Sequence, residues 1–296
     1  MIRRAFLILA MLAAPLAARA DLSRHDLVQD GLQRSYRLFV PDGIARFAGP
    51  RPVVLVLHGG GGSSREVRLS TRRRFDELAE AHGFLVVYPD AVGRIWDTGA
   101  GMISSRLQPR RDDAAFLERV IAEVAARHPV DKARVFATGV SRGGMQAYAL
   151  ACGNPGLIRA IAPVAMPLPE ASLRACRRGA AFGFLLIHGT ADPIVPYDGG
   201  PITLGRRERD TVLSAPETYA VFQRRNGCKA SVEGAPAGSV RRFNARGCRA
   251  PTAFLSVGGG GHGWPGGRKM IPGGRAGPIN RDISSPDEIW AFFSRF

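Results

Sequence analysis

The sequence predicts an α/β fold, a mostly parallel central sheet flanked by helices, and two observations carry that expectation. Short runs rich in Val, Leu, Ile and Phe alternate with segments of helical period along most of the chain, the pattern of a sheet covered by helices. One of those runs, 52–57, is almost continuously apolar, which suits a strand buried on both faces.

The elements follow in order. A leading strand is expected at 35–40. The 52–57 run enters His58-Gly59-Gly60-Gly61-Gly62. Phe75, Leu78 and Ala79 share a helix face that stops at Gly83, and 84–88 reads as the next strand, closed by Pro89-Asp90. After a Gly-rich loop holding Trp96, Asp112 or Asp113 can cap a helix whose Phe116, Leu117, Val120, Ile121 and Val124 form one apolar stripe. Pro129 ends it. A strand at 134–138, a turn at Ser141 and a helix over 145–152 come next, then a strand at 182–187, a helix over 216–225 and a last clear strand at 252–257. A helix over 286–296 closes the chain with Ile289, Trp290, Phe292 and Phe293. The Gly/Pro-rich stretch 265–278 reads as an irregular surface loop. No internal repeat and no interdomain linker interrupts this order, so 21–296 is read as a single domain.

Residues 1–20 stand apart. Met-Ile-Arg-Arg precedes an apolar run over 5–18, and Ala18-Arg19-Ala20 offers a small-x-small cleavage site, the features of a secretory signal peptide. The run is too short to span a bilayer, which takes roughly 20 residues. A secreted protein is expected, extracellular or periplasmic, with no membrane partner after cleavage. The balance of 41 Lys+Arg against 25 Asp+Glu gives a net charge of +16, which can attract polyanions. The basic residues are scattered, however, with at most three adjacent at Arg72, Arg73 and Arg74. They read as a solvated surface; no nucleic acid partner is expected, and a monomer is.

Cys152, Cys176, Cys228 and Cys248 are the 4 cysteines, an even number in a chain that reads as exported, so disulfides are expected. Three connectivities are open. Sequence neighbours, 152 with 176 and 228 with 248, are the simplest, each stabilising by roughly 3 kcal/mol on the chain-entropy model. No Cys-x-x-Cys or Cys-x-x-His pair supports a zinc site, and no metal is expected.

The chemistry starts at Gly139-Val140-Ser141-Arg142-Gly143, a G-x-S-x-G pattern between a predicted strand and a predicted helix. That is the context of a nucleophile elbow, in which a sharp, strained turn exposes the serine oxygen. In a chain with 36 Gly the five residues alone say little; strand before and helix after give them weight. A serine hydroxyl attacks only when a base accepts its proton, so a histidine and an orienting carboxylate must follow. In the order this fold requires, Asp192 follows the 182–187 strand and His262 follows the 252–257 strand. Asp198 and Asp210 are rivals farther into the loop. Among the 6 His only His262 lies downstream of Asp192; His25, His82 and His128 suit surface or capping roles, while His58 and His188 end strands directly before glycine, where a ring holds a loop. The oxyanion needs two backbone N–H donors. Arg142 supplies one, and Gly59 or Gly60, in an HGGG-type turn, the other. That turn lacks the Lys-Ser/Thr of a phosphate loop.

These stretches together resemble the secreted α/β-hydrolases grouped as polyhydroxybutyrate depolymerase-like and feruloyl esterase-like proteins, LpqC-type esterases among them. The likeness runs through VLVLHGGGG, WDTGAG, DKARVFATGVSRGGMQAY, LLIHGTADPIVPY, RRNGC, GGGHGWPGG and PDEIWAFF. It implies an α/β-hydrolase fold, Ser141, Asp192 and His262 as catalytic residues, and a Cys228 to Cys248 bridge. Two departures concern substrate preference: Arg142 replaces the family's usual Asn or Ala, and Gly99-Ala100-Gly101-Met102 lies where cysteines are often found.

The reading is therefore a secreted serine carboxylic ester hydrolase acting on soluble esters, among them hydroxybutyrate oligomers, feruloyl or acetyl sugars and short-chain esters, with no cofactor required. Trp96 and Trp264 are expected near the substrate pocket. A serine peptidase or amidase would use the same three residues. A non-catalytic carbohydrate- or polyanion-binding protein would account for the charge but not for serine, aspartate and histidine in order.

Overall fold

The computed structural model describes residues 21–99, 111–204, 207–269 and 274–296. The leader at 1–20 and residues 100–102 of the departing loop lie outside them.

The first third of the chain forms β1 (Asp21–Gln29), β2 (Leu32–Val40), β3 (Arg51–Leu57), α1 (Ser64–Ser70), α2 (Arg74–His82) and β4 (Leu85–Asp90). Next come α3 (Asp113–Arg127), β5 (Val130–Val140), α4 (Arg142–Gly153), β6 (Ala160–Val164), α5 (Glu170–Cys176) and β7 (Gly183–Gly189). The chain continues through β8 (Gly200–Leu204), β9 (Arg207–Val212), α6 (Ala215–Arg225), β10 (Ala230–Glu233), β11 (Val240–Arg246), β12 (Thr252–Val257) and α7 (Ser285–Phe293). The main sheet runs β1-β2-β4-β3-β5-β6-β7-β12-β11-β10, and β8 pairs with β9 in a separate ribbon. From β4 to β12 every neighbour is parallel. The antiparallel pairs are confined to the two edges.

Side-chain alternation explains why the central strands read as unbroken apolar runs. In β3, Val53, Leu55 and Leu57 join one apolar cluster while Val54 and Val56 join the other. In β7, Phe184 and Leu186 face one way and Leu185 and Ile187 the other. Both faces are covered. Phe116 and Leu117 of α3, Leu150 of α4 and Phe222 of α6 pack in the first cluster; Val67 of α1, Phe75 and Leu78 of α2 and Ile289 and Trp290 of α7 pack in the second. Each fully buried Val, Leu, Ile or Phe contributes about 1.5–3 kcal/mol of apolar burial.

Helix starts are fixed by local chemistry. Asp112, not Asp113, caps α3, accepting from the Ala115 N–H at 2.8 Å. Ser214 and Glu217 form a reciprocal capping box at α6. Cys152 is bonded to Cys176 and Cys228 to Cys248, the first tying the end of α4 to the end of α5.

The sequence signalled no strand over the central β6, whose five residues include Pro163, over the β8–β9 ribbon, or over β1, β10 and β11. The last three sit at or next to the sheet edges with polar, solvent-facing residues; Ala230–Glu233 is exposed along its whole length. They therefore lack the apolar run that marks a central strand. Among the described residues no helix is long and apolar enough to cross a membrane.

Candidate active site

Strand β5 ends at Val140 and α4 begins at Arg142, so one residue must make the turn. Ser141 does so with φ 55 and ψ −122, a conformation L-residues seldom adopt and one that the surroundings must hold. Its N–H donates to the Val164 carbonyl of β6 at 2.9 Å, and its carbonyl accepts from Gly144 and Met145 in the first turn of α4. The flanking glycines serve close approach, since neither has a positive φ. A Cβ on Gly139 would strike the Gly143 backbone, and one on Gly143 would strike the Leu57 and His58 carbonyl oxygens. The elbow is thus pressed against the end of β3.

Asp192 and His262 reach the same edge of the sheet from neighbouring strands. β7 and β12 pair in parallel, with His188 opposite Ser256 and Gly189 opposite Val257, so their following loops emerge side by side. Those loops are also bonded to each other: Thr190 N–H donates to the Val257 carbonyl at 2.9 Å and Ala191 N–H to the Gly260 carbonyl at 3.0 Å. Asp192 is held at both oxygens. Oδ1 accepts from the Ile194 and Val195 N–H groups, each at 2.9 Å, and Oδ2 lies 2.8 Å from His262 Nδ1. An ionised carboxylate there requires Nδ1 to carry the proton, which leaves Nε2 as the basic nitrogen. Both side chains are buried, at 0% exposure for Asp192 and 5% for His262. The rivals make no such contact: His262 is bonded to Asp192 and not to Asp198 or Asp210.

Ser141 and His262 line one cavity of about 280 Å³, together with Gly59 to Gly62, Leu69, Arg268 and Lys269. No hydrogen bond joins the serine hydroxyl to the imidazole in this structure; catalytic hydrogen bonds are often long until substrate binds. The Gly59 to Gly62 turn is shaped by a Gly62 N–H to Gly59 carbonyl bond at 3.0 Å and by Gly61 N–H donating to the Arg94 carbonyl at 2.8 Å. The N–H groups of Gly59 and Gly60 have no acceptor among the described residues, nor does that of Arg142 at the start of α4. These are the three candidate oxyanion donors.

His58 and His188 are each bonded to loop backbone. Ala91 N–H donates to His58 Nε2 at 3.0 Å, so Nδ1 carries the hydrogen and donates to the Gly59 carbonyl at 2.7 Å. Burial pushes the His58 pKa down. His188 Nε2 lies 3.1 Å from the Val195 carbonyl, and burial brings its pKa down to about 4. Both rings are neutral near pH 7.

Trp96 and Trp264 do not line the cavity, which corrects the expectation that they flank substrate. Both are 0% exposed. Trp96 donates its indole N–H to the His58 carbonyl at 2.9 Å. Trp264 packs edge-on against Phe75 inside the second cluster. A bulky aromatic near a catalytic loop supports that loop from beneath as readily as it meets a ligand.

Several residues around the site carried no sequence signal. Arg34 pairs with Asp113 at 2.6 Å with both side chains buried, and Asp113 in turn accepts from the Asp97 N–H at 2.6 Å. This pair anchors the strand-to-loop region beside Trp96. Its members are 79 positions apart, a separation that no local pattern reveals. Arg268 and Lys269, in the Gly/Pro-rich stretch, are exposed at the cavity rim.

A family model described as esterase PHB depolymerase matches residues 34–243, which include Ser141 and Asp192 and stop short of His262. NocK of Nocardia uniformis subsp. tsuyamanensis, a candidate esterase by name, is 31% identical over 289 residues, spanning 91% of this chain and 82% of its own. Feruloyl esterase C of Emericella nidulans is 30% identical over 268 residues, spanning 88% and 83%. Among solved structures, the acetyl xylan esterase of Aspergillus awamori covers 92% of this chain and 99% of its own at TM-score 0.60 and 16% identity, a likeness of fold.

Proposed function

The chain belongs to the esterase PHB depolymerase family and is a carboxylic ester hydrolase, and on that premise we propose that it is a serine esterase working through an acyl-enzyme. Ser141 attacks the ester carbonyl. His262 takes the hydroxyl proton and delivers it to the leaving alcohol, while Asp192 fixes the imidazole tautomer and stabilises the imidazolium. The N–H groups of Arg142 and of Gly59 or Gly60 hold the oxyanion. Water, deprotonated by His262, then attacks the acyl-enzyme and releases the acid, returning the proton to Ser141.

The observation that carries this reading is the 2.8 Å Asp192–His262 hydrogen bond beside a cavity that Ser141 enters at φ 55. Secretion is proposed with it: residues 1–20 act as a removed signal peptide, 21–296 as one catalytic domain, and the two disulfides fit an oxidising compartment.

A cavity of about 280 Å³ suits a small ester or the end of an oligomer. Its rim carries Arg268 and Lys269, whereas the rim acid Glu66 is already paired with Arg94. An ester bearing a free carboxylate, such as a hydroxyalkanoate oligomer, matches that rim better than a neutral feruloyl or acetyl sugar. The test is a panel of hydroxybutyrate oligomers, methyl ferulate, acetylated xylan oligomers and 4-nitrophenyl esters, run with Ser141→Ala and with fluorophosphonate labelling. Turnover of esters and labelling by wild type, both absent in Ser141→Ala, is expected; ester turnover surviving that substitution refutes the mechanism. Faster hydrolysis of the amide analogue than of a matched ester would point to an amidase instead.

A further inference from the structure

The two sides of the oxyanion site come from different elements. One donor belongs to the first residue of α4. The other belongs to a run of glycines after β3 that has no side chains of its own to hold it in place. Donors must lie 2.7–3.1 Å from the developing oxygen to act, so something has to fix the glycine turn relative to the elbow.

A continuous set of contacts does this. The Arg142 stem packs on Gly60, with its Cβ and Cδ each 3.8 Å from where a Gly60 Cβ would stand. Arg142 Nε donates to the Trp96 carbonyl at 2.7 Å. Trp96 Nε1 donates to the His58 carbonyl at 2.9 Å, and the two rings are 4.9 Å apart. His58 Nδ1 donates to the Gly59 carbonyl at 2.7 Å, while its Nε2 is held by the Ala91 N–H at 3.0 Å. The chain of contacts starts and ends on the residues whose N–H groups flank the cavity. It also gives a purpose to an otherwise costly feature, a part-buried Arg142 guanidinium whose Nη2 has no hydrogen-bond partner among the described residues.

We infer that the side chains of Arg142 and Trp96 form a clamp between the nucleophile elbow and the glycine turn and set the spacing of the two oxyanion donors. Both are positioning residues. Arg142 contributes its backbone N–H to the oxyanion and its side chain to the clamp. The inference rests on the acyl-enzyme reading above, and it explains why a long hydrogen-bonding side chain follows the nucleophile here.

The clamp is tested with Arg142→Met, which keeps the stem and removes the donor, with Trp96→Phe, which keeps a ring and removes the indole N–H, and with the double variant. The measurements are kcat and KM for 4-nitrophenyl butyrate, the rate of inactivation by a fluorophosphonate, and Tm. Each single variant is expected to lower kcat and the inactivation rate about 10- to 100-fold, the range for a misplaced transition-state contact. KM should stay within about 3-fold and the Arg142→Met Tm near that of wild type. The double variant should be no worse than the poorer single by more than about 3-fold, because both substitutions open one clamp. Wild-type kcat in Arg142→Met overturns the inference, as do losses confined to KM or multiplying fully in the double variant. If Trp96→Phe does not fold, Arg142→Met decides alone. An active Ser141→Ala overturns the acyl-enzyme reading itself; an inactive Ser141→Ala beside a fully active Arg142→Met overturns only the clamp.

Discussion

The two halves of the proposed catalytic site are prepared differently. On the acid–base side, Asp192 accepts three hydrogen bonds and His262 is already engaged at 2.8 Å. On the nucleophile side, Ser141 is held by its backbone, through Val164 and the first turn of α4, and its hydroxyl has no hydrogen-bond partner among the described residues. The first half is set by side-chain bonding between two loops, the second by the backbone of the elbow pressed against β3 and bonded to β6. A preset base needs no reorganisation when charge develops. An unengaged serine keeps its oxygen free for the substrate.

The largest expected effect breaks the nucleophile half. Ser141→Ala should lower kcat by about 10,000-fold or more with Tm unchanged, read by steady-state kinetics and thermal melting. Asp192→Asn attacks the other half and should lower kcat by roughly 1,000- to 10,000-fold, because an amide in place of the carboxylate favours the wrong imidazole tautomer. If Asp192→Asn instead keeps most of its kcat, the prepared acid–base half contributes little and the contrast fails.

Gly143→Ala sharpens the contrast by loading strain on the elbow alone. Its Cβ would collide with the Leu57 and His58 carbonyl oxygens, so a stability loss of about 1–3 kcal/mol in urea titration is expected. The Asp192–His262 bond, on other strands, should survive, seen as an unchanged downfield His262 proton resonance.

His188 lies under the acid–base half and gives a pH test. Burial lowers its pKa from 6.5 to about 4. Between those values the unfolded chain binds a proton that the folded one does not. Its contribution is therefore complete above about pH 6.5, falls as pH drops, and levels off below about pH 4, a total of about 3 kcal/mol. Urea midpoints at about pH 7.5 and about pH 4.5 should show a smaller drop in His188→Gln than in wild type. An equal drop means that His188 is not held neutral.

The smallest effect concerns the rim that both halves share. Arg268→Ala with Lys269→Ala should raise KM by about 2- to 5-fold for a carboxylate-bearing 4-nitrophenyl ester and leave the neutral ester alone, with the difference fading at high salt. Equal KM changes for both esters would remove charge from the account of substrate preference.

The difference between the halves also separates what the sequence determined from what required the fold. Wherever the physics acts over a few neighbouring residues, the chain could be read directly. Most central strands announce themselves because both faces are buried, although β6, five residues long and interrupted by Pro163, does not; Asp112 or Asp113 stands where a helix needs a cap; Gly139 and Gly143 flank a serine that must turn sharply. The order Ser141, Asp192, His262 was legible too, since each follows a strand of a parallel sheet and such strands deliver their loops to one edge. Edge strands β1, β10 and β11 were not, because solvent on one side removes the apolar run.

Only the tertiary structure decided the rest. Whether Asp192 or a rival meets His262 depends on β7 and β12 lying side by side. Whether Trp96 touches substrate or holds a loop depends on which carbonyl its indole finds, and that carbonyl belongs to His58, 38 positions away. The Arg34–Asp113 pair is likewise written in no local pattern. Such contacts arise from the packing of the whole chain, where burial forces each polar group to find a partner wherever the fold places one.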